Sequence, residues 1–359
     1  MNEHIAVFLN HAGQARLPVT SAEAAKTVLN IYVSKGSLSI TEWNTIIETG
    51  RHRAATLLGT SEDTVAFTAN TTTGIRLAME LIPFQHNDRV LVAGAFPASI
   101  YPWKFGYPVG IVPEFIPWET ADSVMERIYT ALQSGSVRAV FADWVHYATG
   151  RTLPVTELYN LCRSRDSYLV LDAIQGLGVL PSPVGSADIV CAGGAKWLMG
   201  TEGTGLVYVN PERQWNIGPV GWLSRRYESY DSLFPLRSPL NNAGRFEAGT
   251  LNVPGIAALS SSLKLLLDHD HRFAFISSLV EQIIDGARTR GLETSVEIPE
   301  SGIVGVKASH PERTYRSITE RGITLSLREG WLRVSPHIVN TADDISSFWT
   351  AFDSVAHSK

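Results

Sequence analysis

The chain has 359 residues and a formal net charge of −5 at pH 7. This length can bury a large core, and it suggests two domains or one large α/β domain with a smaller appendage. The excess of acidic over basic residues gives the protein no net positive charge, which argues against nucleic acid or an anionic membrane as the main partner. No segment approaches the length and apolar character of a membrane span.

The first ten residues lack a basic region before an apolar core, so no signal peptide is expected. Cys162 and Cys191 are the only cysteines. A disulfide framework and a zinc site are therefore both disfavoured, and no metal site is predicted. A reducing cytoplasmic location fits these features.

Two helix-start signals come first along the chain. The box from Thr20 to Glu23 predicts one helix, and the box from Ser39 to Glu42 predicts a second helix that stops at Gly59. Short apolar runs then predict strands at 64–67, 89–93, 110–116, 138–145, 168–174, 187–192 and 206–209. Helical patterns at 120–132 and 154–163 separate some of these strands. The alternation predicts an α/β fold, a mostly parallel sheet with helices on both faces.

The pattern changes near Pro254 and Gly255. Beyond this point the sequence predicts helices at 256–268 and 273–290, strands at 302–308, 323–327 and 331–335, and a last helix at 343–356 with Thr341 as its candidate cap. We therefore expect three units. They are an N-terminal segment 1–20 that packs with the small domain, a large domain 21–254, and a smaller C-terminal α+β domain 255–359.

Lys196 lies in a run where an apolar strand gives way to glycines, one lysine and then another strand. A lysine between strands is usually a solvated loop residue. Here Gly193, Gly194, Gly200 and Trp197 surround it, which favours a tight, partly apolar pocket where the amine loses solvation and becomes nucleophilic.

Asp172 ends a second apolar strand, 168–174, and Gln175 follows three residues later. Alone it would be a turn residue, but a carboxylate at the carboxyl end of a buried strand is also typical of a cleft. Pyridoxal phosphate needs a lysine for its Schiff base and an anionic partner for its ring nitrogen. Lys196 and Asp172 together therefore suggest this cofactor.

A threonine-rich segment follows the predicted strand 64–67 and opens a helical run. Hydroxyls and backbone amides at a helix N-terminus make an anion site, so the segment 68–75 could hold a phosphate. A run of threonines can equally well cap a helix. The surrounding motifs favour the phosphate interpretation.

Four motifs occur in order: Asn70-Thr-Thr-Thr-Gly-Ile75, Asp172-x-x-Gln175, Lys196-Trp-Leu-Met-Gly200 and Arg245-Phe-Glu-Ala-Gly-Thr250. On this ordered set the chain resembles the class V aminotransferase family of fold-type I pyridoxal phosphate enzymes. That family includes cysteine desulfurases, isopenicillin N epimerase-like proteins and carbon–sulfur lyases. The resemblance covers nearly the whole chain, from Phe8 to His337.

The resemblance implies how the cofactor is held. Lys196 forms the Schiff base, Asp172 pairs with the pyridine nitrogen, and Gln175 contacts the phenolic oxygen of the ring. Thr71 and Thr72 match the positions that bind the phosphate.

The resemblance also implies partners and a substrate. Thr250 reaches the phosphate in the neighbouring subunit, which implies a homodimer with shared sites. Phe96 covers the ring face by aromatic packing. Arg333 matches the arginine that binds the substrate carboxylate with a guanidinium fork, so an α-amino acid substrate follows. The alternative for Arg333 is an exposed side chain on an edge strand.

Departures from the family pattern bear on the reaction. Gly193 and Ala195 stand where many relatives have a serine and a histidine. Desulfurases need an accessible cysteine near the end of the chain, and no cysteine follows Cys191, which disfavours persulfide transfer. His11, Trp103 and Tyr147 are candidates for the substrate pocket.

The favoured reaction is β-elimination of a sulfur substituent from a cysteine conjugate. Epimerisation, transamination and a decarboxylating or deaminating variant remain alternatives, and the role of His146 stays open. A nucleotide-dependent oxidoreductase is disfavoured, because the glycine pairs at 176–178 and 203–205 lack the dinucleotide-binding spacing.

Overall fold

The computed structural model describes residues 7–106, 110–227 and 234–356. The elements of its first half are, in chain order, β1 Val7–Phe8, α1 Val19–Lys35, α2 Ile40–Leu58, β2 Val65–Thr68, α3 Thr71–Leu81, β3 Arg89–Ala93, α4 Pro97–Phe105, β4 Val112–Phe115, α5 Ala121–Gln133, β5 Val137–Asp143, α6 Val155–Arg163, β6 Tyr168–Asp172, β7 Ile189–Gly193 and β8 Gly205–Val209. They are followed by α7 Val253–Leu267, α8 Arg272–Thr289, β9 Val304–Lys307, α9 Pro311–Glu320, β10 Ile323–Thr324, β11 Ser326–Arg328, β12 Trp331–Val334 and α10 Ala342–Ala356.

Seven strands form the central sheet in the order β2-β8-β7-β6-β5-β3-β4. The strands from β7 to β4 in this order run parallel, whereas β8 is antiparallel to both β2 and β7. β6, β7 and β8 are buried along their whole length, as expected for strands covered on both faces. The predicted α/β fold with a mostly parallel sheet is confirmed.

The carboxyl ends of the parallel strands meet at one edge of this sheet. Asp143 and Asp172, the last residues of β5 and β6, are direct register partners. Asp172 in turn pairs with Cys191 of β7, two residues before the strand ends at Gly193. This edge therefore brings two carboxylates close to the glycine turn that carries Lys196.

A second, smaller set of strands follows in the chain. β11, β12 and β9 form an antiparallel sheet, and β1 pairs in parallel with β10. The N-terminal strand thus contacts the C-terminal part of the chain. α7 packs against α1 and α2. The division at residue 254 stays a prediction; residues 1–6 of the first predicted unit and 357–359 of the last lie outside the described residues.

Helix starts show where local signals decide the structure. At α2, Ser39 Oγ accepts a hydrogen bond from Glu42 N at 3.2 Å and Ser39 N donates to Glu42 Oε2 at 2.9 Å, which confirms the predicted capping box. At α1 the predicted capping box from Thr20 to Glu23 is wrong. The helix begins at Val19 with Pro18 as its N-cap residue and no side-chain cap, because the Pro18 carbonyl accepts from Ser21 N and Ala22 N.

The predicted strands of the large sheet lie within about two residues of the observed ones. Helices α4 and α9 were not predicted from the sequence. α4 has Pro97 at its start and Pro102 inside it, and prolines suppress the sequence signal of a helix. No helix in the described ranges has both the length and the apolar character needed to cross a bilayer.

Candidate active site

Lys196 follows β7 in a turn whose flanking glycines, Gly194 and Gly200, pack closely against neighbouring residues. A Cβ on Gly194 would lie 2.6 Å from Thr204 Oγ1, and a Cβ on Gly200 would lie 2.8 Å from a Leu259 methyl. Within the turn, Gly194 N donates to Thr204 O at 2.7 Å. The tight turn leaves the lysine side chain as the group that projects towards the sheet edge.

The Lys196 amine is in an environment that disfavours its charge. Burial lowers its pKa from 10.5 to about 8, against the opposing effect of the Asp172 carboxylate, and Arg333 lowers the pKa further. Its Nζ lies 5.5 Å from the centroid of the Phe96 ring. A substantial fraction of the amine is therefore neutral, and nucleophilic, near neutral pH.

Asp172 is 5% exposed and is held from two sides. Its Oδ1 accepts from Ile174 N at 3.0 Å, and its Oδ2 lies 3.2 Å from Ser99 Oγ. Burial raises the pKa of this carboxyl group, while the Ile174 hydrogen bond and the charge of Lys196 oppose the rise. A cation beside Asp172 would therefore stabilise it as an anion.

Asp143 is a second buried carboxyl group that the sequence analysis missed. Its Oδ2 accepts from Ala95 N at 2.8 Å and from Phe96 N at 3.2 Å, and its Oδ1 makes a short contact with Ser99 Oγ. Burial and the neighbouring Asp172 raise its pKa to about 7. The signal that identified Asp172, an acid at the end of an apolar strand, could also have identified Asp143.

The first turn of α3 lies against the end of β7. Thr71 Oγ1 accepts a hydrogen bond from Gly193 N at 2.9 Å, and Asn70 caps the helix by accepting from Thr73 N at 2.9 Å. A Cβ on Gly193 would lie 3.3 Å from Thr71 Oγ1 and 3.2 Å from an Ile174 methyl. Thr71 thus occupies the space beside Gly193, and Thr72, its neighbour in the helix, is half-buried.

Gln175 is buried and hydrogen-bonded at both ends of its amide. Nε2 donates to Ala12 O at 3.0 Å, and Oε1 accepts from Trp197 Nε1 at 2.9 Å. The second hydrogen of Nε2 is the part of this side chain that can still serve a ligand.

Arg333 lies in β12, 2% exposed. Its Nη1 donates to Tyr147 O at 2.7 Å, and its Nη2 contacts Ser326 Oγ and Asn10 Oδ1 at 3.3 and 3.4 Å. Among the described residues, no carboxylate forms an ion pair with it, and its Nε has no partner. Burial lowers the pKa of its guanidinium to about 10. A buried cation without a counter-ion is suited to bind an anion.

Aromatic side chains line the approach to Lys196. The ring of Phe96, 41% exposed, packs edge-on against Tyr147 at a centroid distance of 5.4 Å. Tyr147 Oη donates to Glu329 Oε1 at 2.7 Å, which contributes after burial to raising its pKa to about 12. The His146 ring packs against Tyr147 at a centroid distance of 5.3 Å, and its Nδ1 lies 2.9 Å from Thr149 Oγ1 in the turn after β5.

Two residues predicted for the substrate pocket are buried. Trp103 has no exposed surface, and its ring packs edge-on against Phe84 and Phe141, so it is a core residue. His11 is 1% exposed, lies against the rings of Phe8 and His337, and has its pKa lowered to about 3 by burial. Their roles in a substrate pocket stay predictions.

Thr250 lies in the segment that precedes α7. It is exposed, and it contributes to the wall of a groove of about 610 Å³ together with Thr68 and Thr73. The segment before it is held by Glu247, whose buried carboxylate accepts two hydrogen bonds from Arg51, both at 2.8 Å, and one from Phe67 N. This network fixes the Thr250 segment relative to β2.

Both thiols of the chain are buried. Cys191 Sγ would lie 2.9 Å from a Cβ on Gly74, so it fills the space between β7 and α3. Burial raises its pKa well above the usual range. These features are typical of a packing residue and not of a reactive nucleophile.

The family described as Aminotransferase class-V matches residues 7–348. An uncharacterized aminotransferase of Bacillus subtilis, YcbU, is 23% identical over 340 residues, which cover 90% of this chain and 88% of that protein. A probable hercynylcysteine sulfoxide lyase of Mycobacterium tuberculosis is 24% identical, with 84% of this chain and 78% of that protein covered. The complex of the cystine C–S lyase C-DES with its product cysteine persulfide superimposes with a TM-score of 0.80 at 22% identity, covering 96% of each chain.

The chain belongs to the class V aminotransferase family. Enzymes of this family use pyridoxal phosphate. The residues present fit that group. A partly neutral lysine lies near a buried carboxylate that a pyridinium would stabilise, and helix α3 begins beside the same strand end. The predicted family and cofactor are confirmed.

Proposed function

We propose that the protein is a carbon–sulfur lyase that removes the β-substituent sulfur of a cysteine conjugate. The observation that carries the amino acid part of this proposal is Arg333, a buried guanidinium without a carboxylate partner among the described residues. A substrate carboxylate would supply the missing counter-charge through two parallel hydrogen bonds.

The cofactor-binding roles follow from the positions of the side chains. Lys196 would hold the cofactor aldehyde, Asp172 would pair with the pyridine nitrogen, and the second Nε2 hydrogen of Gln175 would reach the phenolic oxygen. The first turn of α3, with Thr71 and Thr72, would bind the phosphate. When bound, pyridoxal phosphate supplies an electron-accepting ring that stabilises negative charge at the substrate α carbon.

The remaining chemistry belongs to residues of the chain. Arg333 orients the substrate by its carboxylate, and the neutral form of Lys196 Nζ accepts the proton of the α carbon. Asp172 would keep a negative charge available to the pyridine nitrogen, and Phe96, which lies beside Lys196, would limit access of water. Loss of the β-sulfur then releases a thiol.

The overall reaction balances without a redox partner. A cysteine conjugate and one water yield a thiol, pyruvate and ammonium, because the released enamine hydrolyses. No sulfur-accepting cysteine is needed, which agrees with the burial of both thiols. Two of the similar proteins are also described as lyases of sulfur-containing compounds, which supports this choice within the family.

A direct test is to incubate the cofactor-loaded protein with cysteine conjugates and to measure pyruvate and thiol in parallel. We expect both products in equal amounts, and we expect Lys196→Ala to fold but to hold no covalent cofactor and form neither product. Cys191→Ala is the matched control, since a desulfurase would lose persulfide formation in that variant whereas a lyase would keep its product ratio.

Other outcomes would assign a different reaction. Exchange of the α proton with solvent without pyruvate would indicate an epimerase, and a 2-oxo acid that retains the substrate side chain would indicate an aminotransferase. The aminotransferase alternative is favoured by the similarity to YcbU. Loss of carbon dioxide would indicate decarboxylation.

We also propose a homodimer in which Thr250 completes the phosphate site of the neighbouring subunit. Thr250 lines an exposed groove of about 400 Å³ with the aromatic side chains Tyr32, Trp43, Trp222 and Tyr227. Trp222, Ile217 and Val220 are all about half exposed or more. Large apolar side chains gathered in this way are typical of a buried interface.

Mixed dimers test this arrangement. A dimer that combines a Lys196→Ala subunit with a Thr250→Ala subunit contains one site with both residues intact and one with neither. We therefore expect the purified heterodimer to have about half of the wild-type activity, whereas each variant alone is impaired. Absence of restoration in a purified heterodimer would contradict a shared site.

A further inference from the structure

Two buried carboxyl groups share one hydroxyl at the edge of the sheet. Asp143 and Asp172 are register partners on adjacent strands, and Ser99 Oγ lies between Asp143 Oδ1 and Asp172 Oδ2. Both aspartates are 5% exposed and Ser99 is 2% exposed. Protons on these three groups therefore decide how the cluster is hydrogen-bonded.

Counting the protons limits the arrangement. Ser99 has one hydroxyl hydrogen and can donate to only one of the two carboxyl groups. If both aspartates were ionised, one of the two contacts would bring two acceptor oxygens together without a hydrogen. For both contacts to be hydrogen bonds, one carboxyl group must carry a proton.

The other contacts show which group carries it. Asp172 faces the lysine amine and accepts from Ile174 N, which favours its ionised form. In both aspartates one oxygen accepts from backbone N–H groups and the other oxygen meets Ser99, so these contacts are alike in kind. The difference is the amine of Lys196, which interacts more strongly with Asp172 than with Asp143 and so favours the proton on Asp143. A protonated Asp143 then has its carbonyl at Oδ2 and its hydroxyl at Oδ1.

We propose that Asp143 is a positioning residue held as a neutral acid, whose Oδ1–H donates to Ser99 Oγ while Ser99 donates to Asp172 and keeps Asp172 an anion. The role of Asp172 towards the pyridine nitrogen rests on the proposed function. The two consecutive hydrogen bonds stabilise the negative charge of Asp172. They do so without a second buried negative charge that would compete for the same cation.

The electrostatic surroundings support this assignment. The charged groups that act on Asp143 are Asp172 on β6 and Lys196 after β7, and burial together with Asp172 shifts the pKa of Asp143 to about 7. The same side chain also holds the backbone of Ala95 and Phe96. Asp143 therefore positions both Asp172, through Ser99, and the aromatic side chain of Phe96 near Lys196.

Two variants distinguish a neutral Asp143 from an ionised one. Asparagine has a carbonyl oxygen and an N–H donor in the places of the two oxygens, so Asp143→Asn mimics the neutral acid. Asp143→Ala removes both. We expect Asp143→Ala to weaken pyridoxal phosphate binding by about tenfold or more relative to Asp143→Asn, as for loss of buried hydrogen bonds. Equal weakening in the two variants would overturn the proposal.

Infrared spectroscopy of the cofactor-free protein gives an independent readout. At mildly acidic pH we expect a carbonyl band of a protonated carboxylic acid that disappears in Asp143→Asn and is lost on raising the pH. Asp188→Asn is the matched control, since Asp188 is also a fully buried aspartate in this sheet region. A missing band in the wild type, or one removed by Asp188→Asn instead, would refute the proposal.

The lyase proposal and the Asp143 proposal can be refuted independently of each other. The infrared test needs neither cofactor nor substrate, so its result stands even if the protein forms no pyruvate. Conversely, pyruvate and thiol release would remain evidence for the lyase if the infrared band were absent. Circular dichroism of Asp143→Ala separates a local effect from a failure to fold.

Discussion

Lys196 should titrate near pH 8 in the cofactor-free protein. Burial lowers its pKa from 10.5 to about 8. At pH 7.5 about a quarter of the amine would then be neutral, against about 0.1% for an unshifted lysine, a gain of roughly 200-fold in nucleophilic amine. The structural cause is the partly apolar pocket, so the gain should vanish when the protein is unfolded.

The assay is the rate of amine labelling as a function of pH, resolved by peptide mass spectrometry. The exposed Lys264 provides an internal reference for reagent access. Because the Asp172 carboxylate raises the pKa of Lys196, Asp172→Asn should shift the labelling midpoint to still lower pH. A midpoint near that of a free lysine, or a shift to higher pH in the variant, would refute the electrostatic reasoning.

The lowered pKa of Lys196 also determines how the free energy of unfolding changes with pH. A lysine whose pKa is lower in the folded than in the unfolded state destabilises the fold at pH values below both. The penalty is relieved as pH rises from about 8 to 10.5, and its full size is about 3 kcal/mol. Lys196→Met should therefore raise the free energy of unfolding of cofactor-free protein at neutral pH, and the gain should shrink at alkaline pH.

Three further variants test other parts of the structure. Arg333→Lys should raise KM for the amino acid by roughly 10-fold to 100-fold, since an ammonium cannot form the forked contact, and an unchanged KM would contradict carboxylate binding there. Arg51→Met should lower the free energy of unfolding in urea by about 3–5 kcal/mol, because it leaves the buried Glu247 with fewer partners; Lys264→Met, on the surface, should cost less than about 0.5 kcal/mol. Tyr147→Phe should change KM by no more than about fivefold, as it loses one partly exposed hydrogen bond; a larger effect would mean that its hydroxyl contacts the substrate.

The sequence predicted those features that depend on residues close to one another in the chain. The apolar strands β5 to β8 were predicted because they are covered on both faces, and α2 because its capping box and Gly59 mark both ends. α1 shows the limit of such signals, since the carbonyl of Pro18 took the role that was assigned to Thr20. A backbone acceptor has no sequence signature.

Site residues that a sequence motif specifies were predicted. Site residues that are defined by contacts between distant parts of the chain were missed. Lys196, Asp172 and Arg333 stood out by their neighbours in the chain. Ser99 was missed because its contact with Asp143 depends on α4, whose prolines hid the helix, whereas Asp143 had the same strand-end signal as Asp172. The burial of Trp103 and His11 could not be predicted, because residue type says nothing about the direction in which a side chain points.

The pairing of β1 with β10 has a consequence for shortening the protein. Leu9 N donates to Thr324 O at 2.8 Å, and Asn10 Oδ1 accepts from Ser326 Oγ beside the guanidinium of Arg333. Deleting the first ten residues would thus unpair a strand more than three hundred positions away and remove one of the acceptors that fix the orientation of Arg333. An affinity tag fused at the N-terminus is tolerable only if it leaves the pairing of β1 with β10 and the contacts of Asn10 intact.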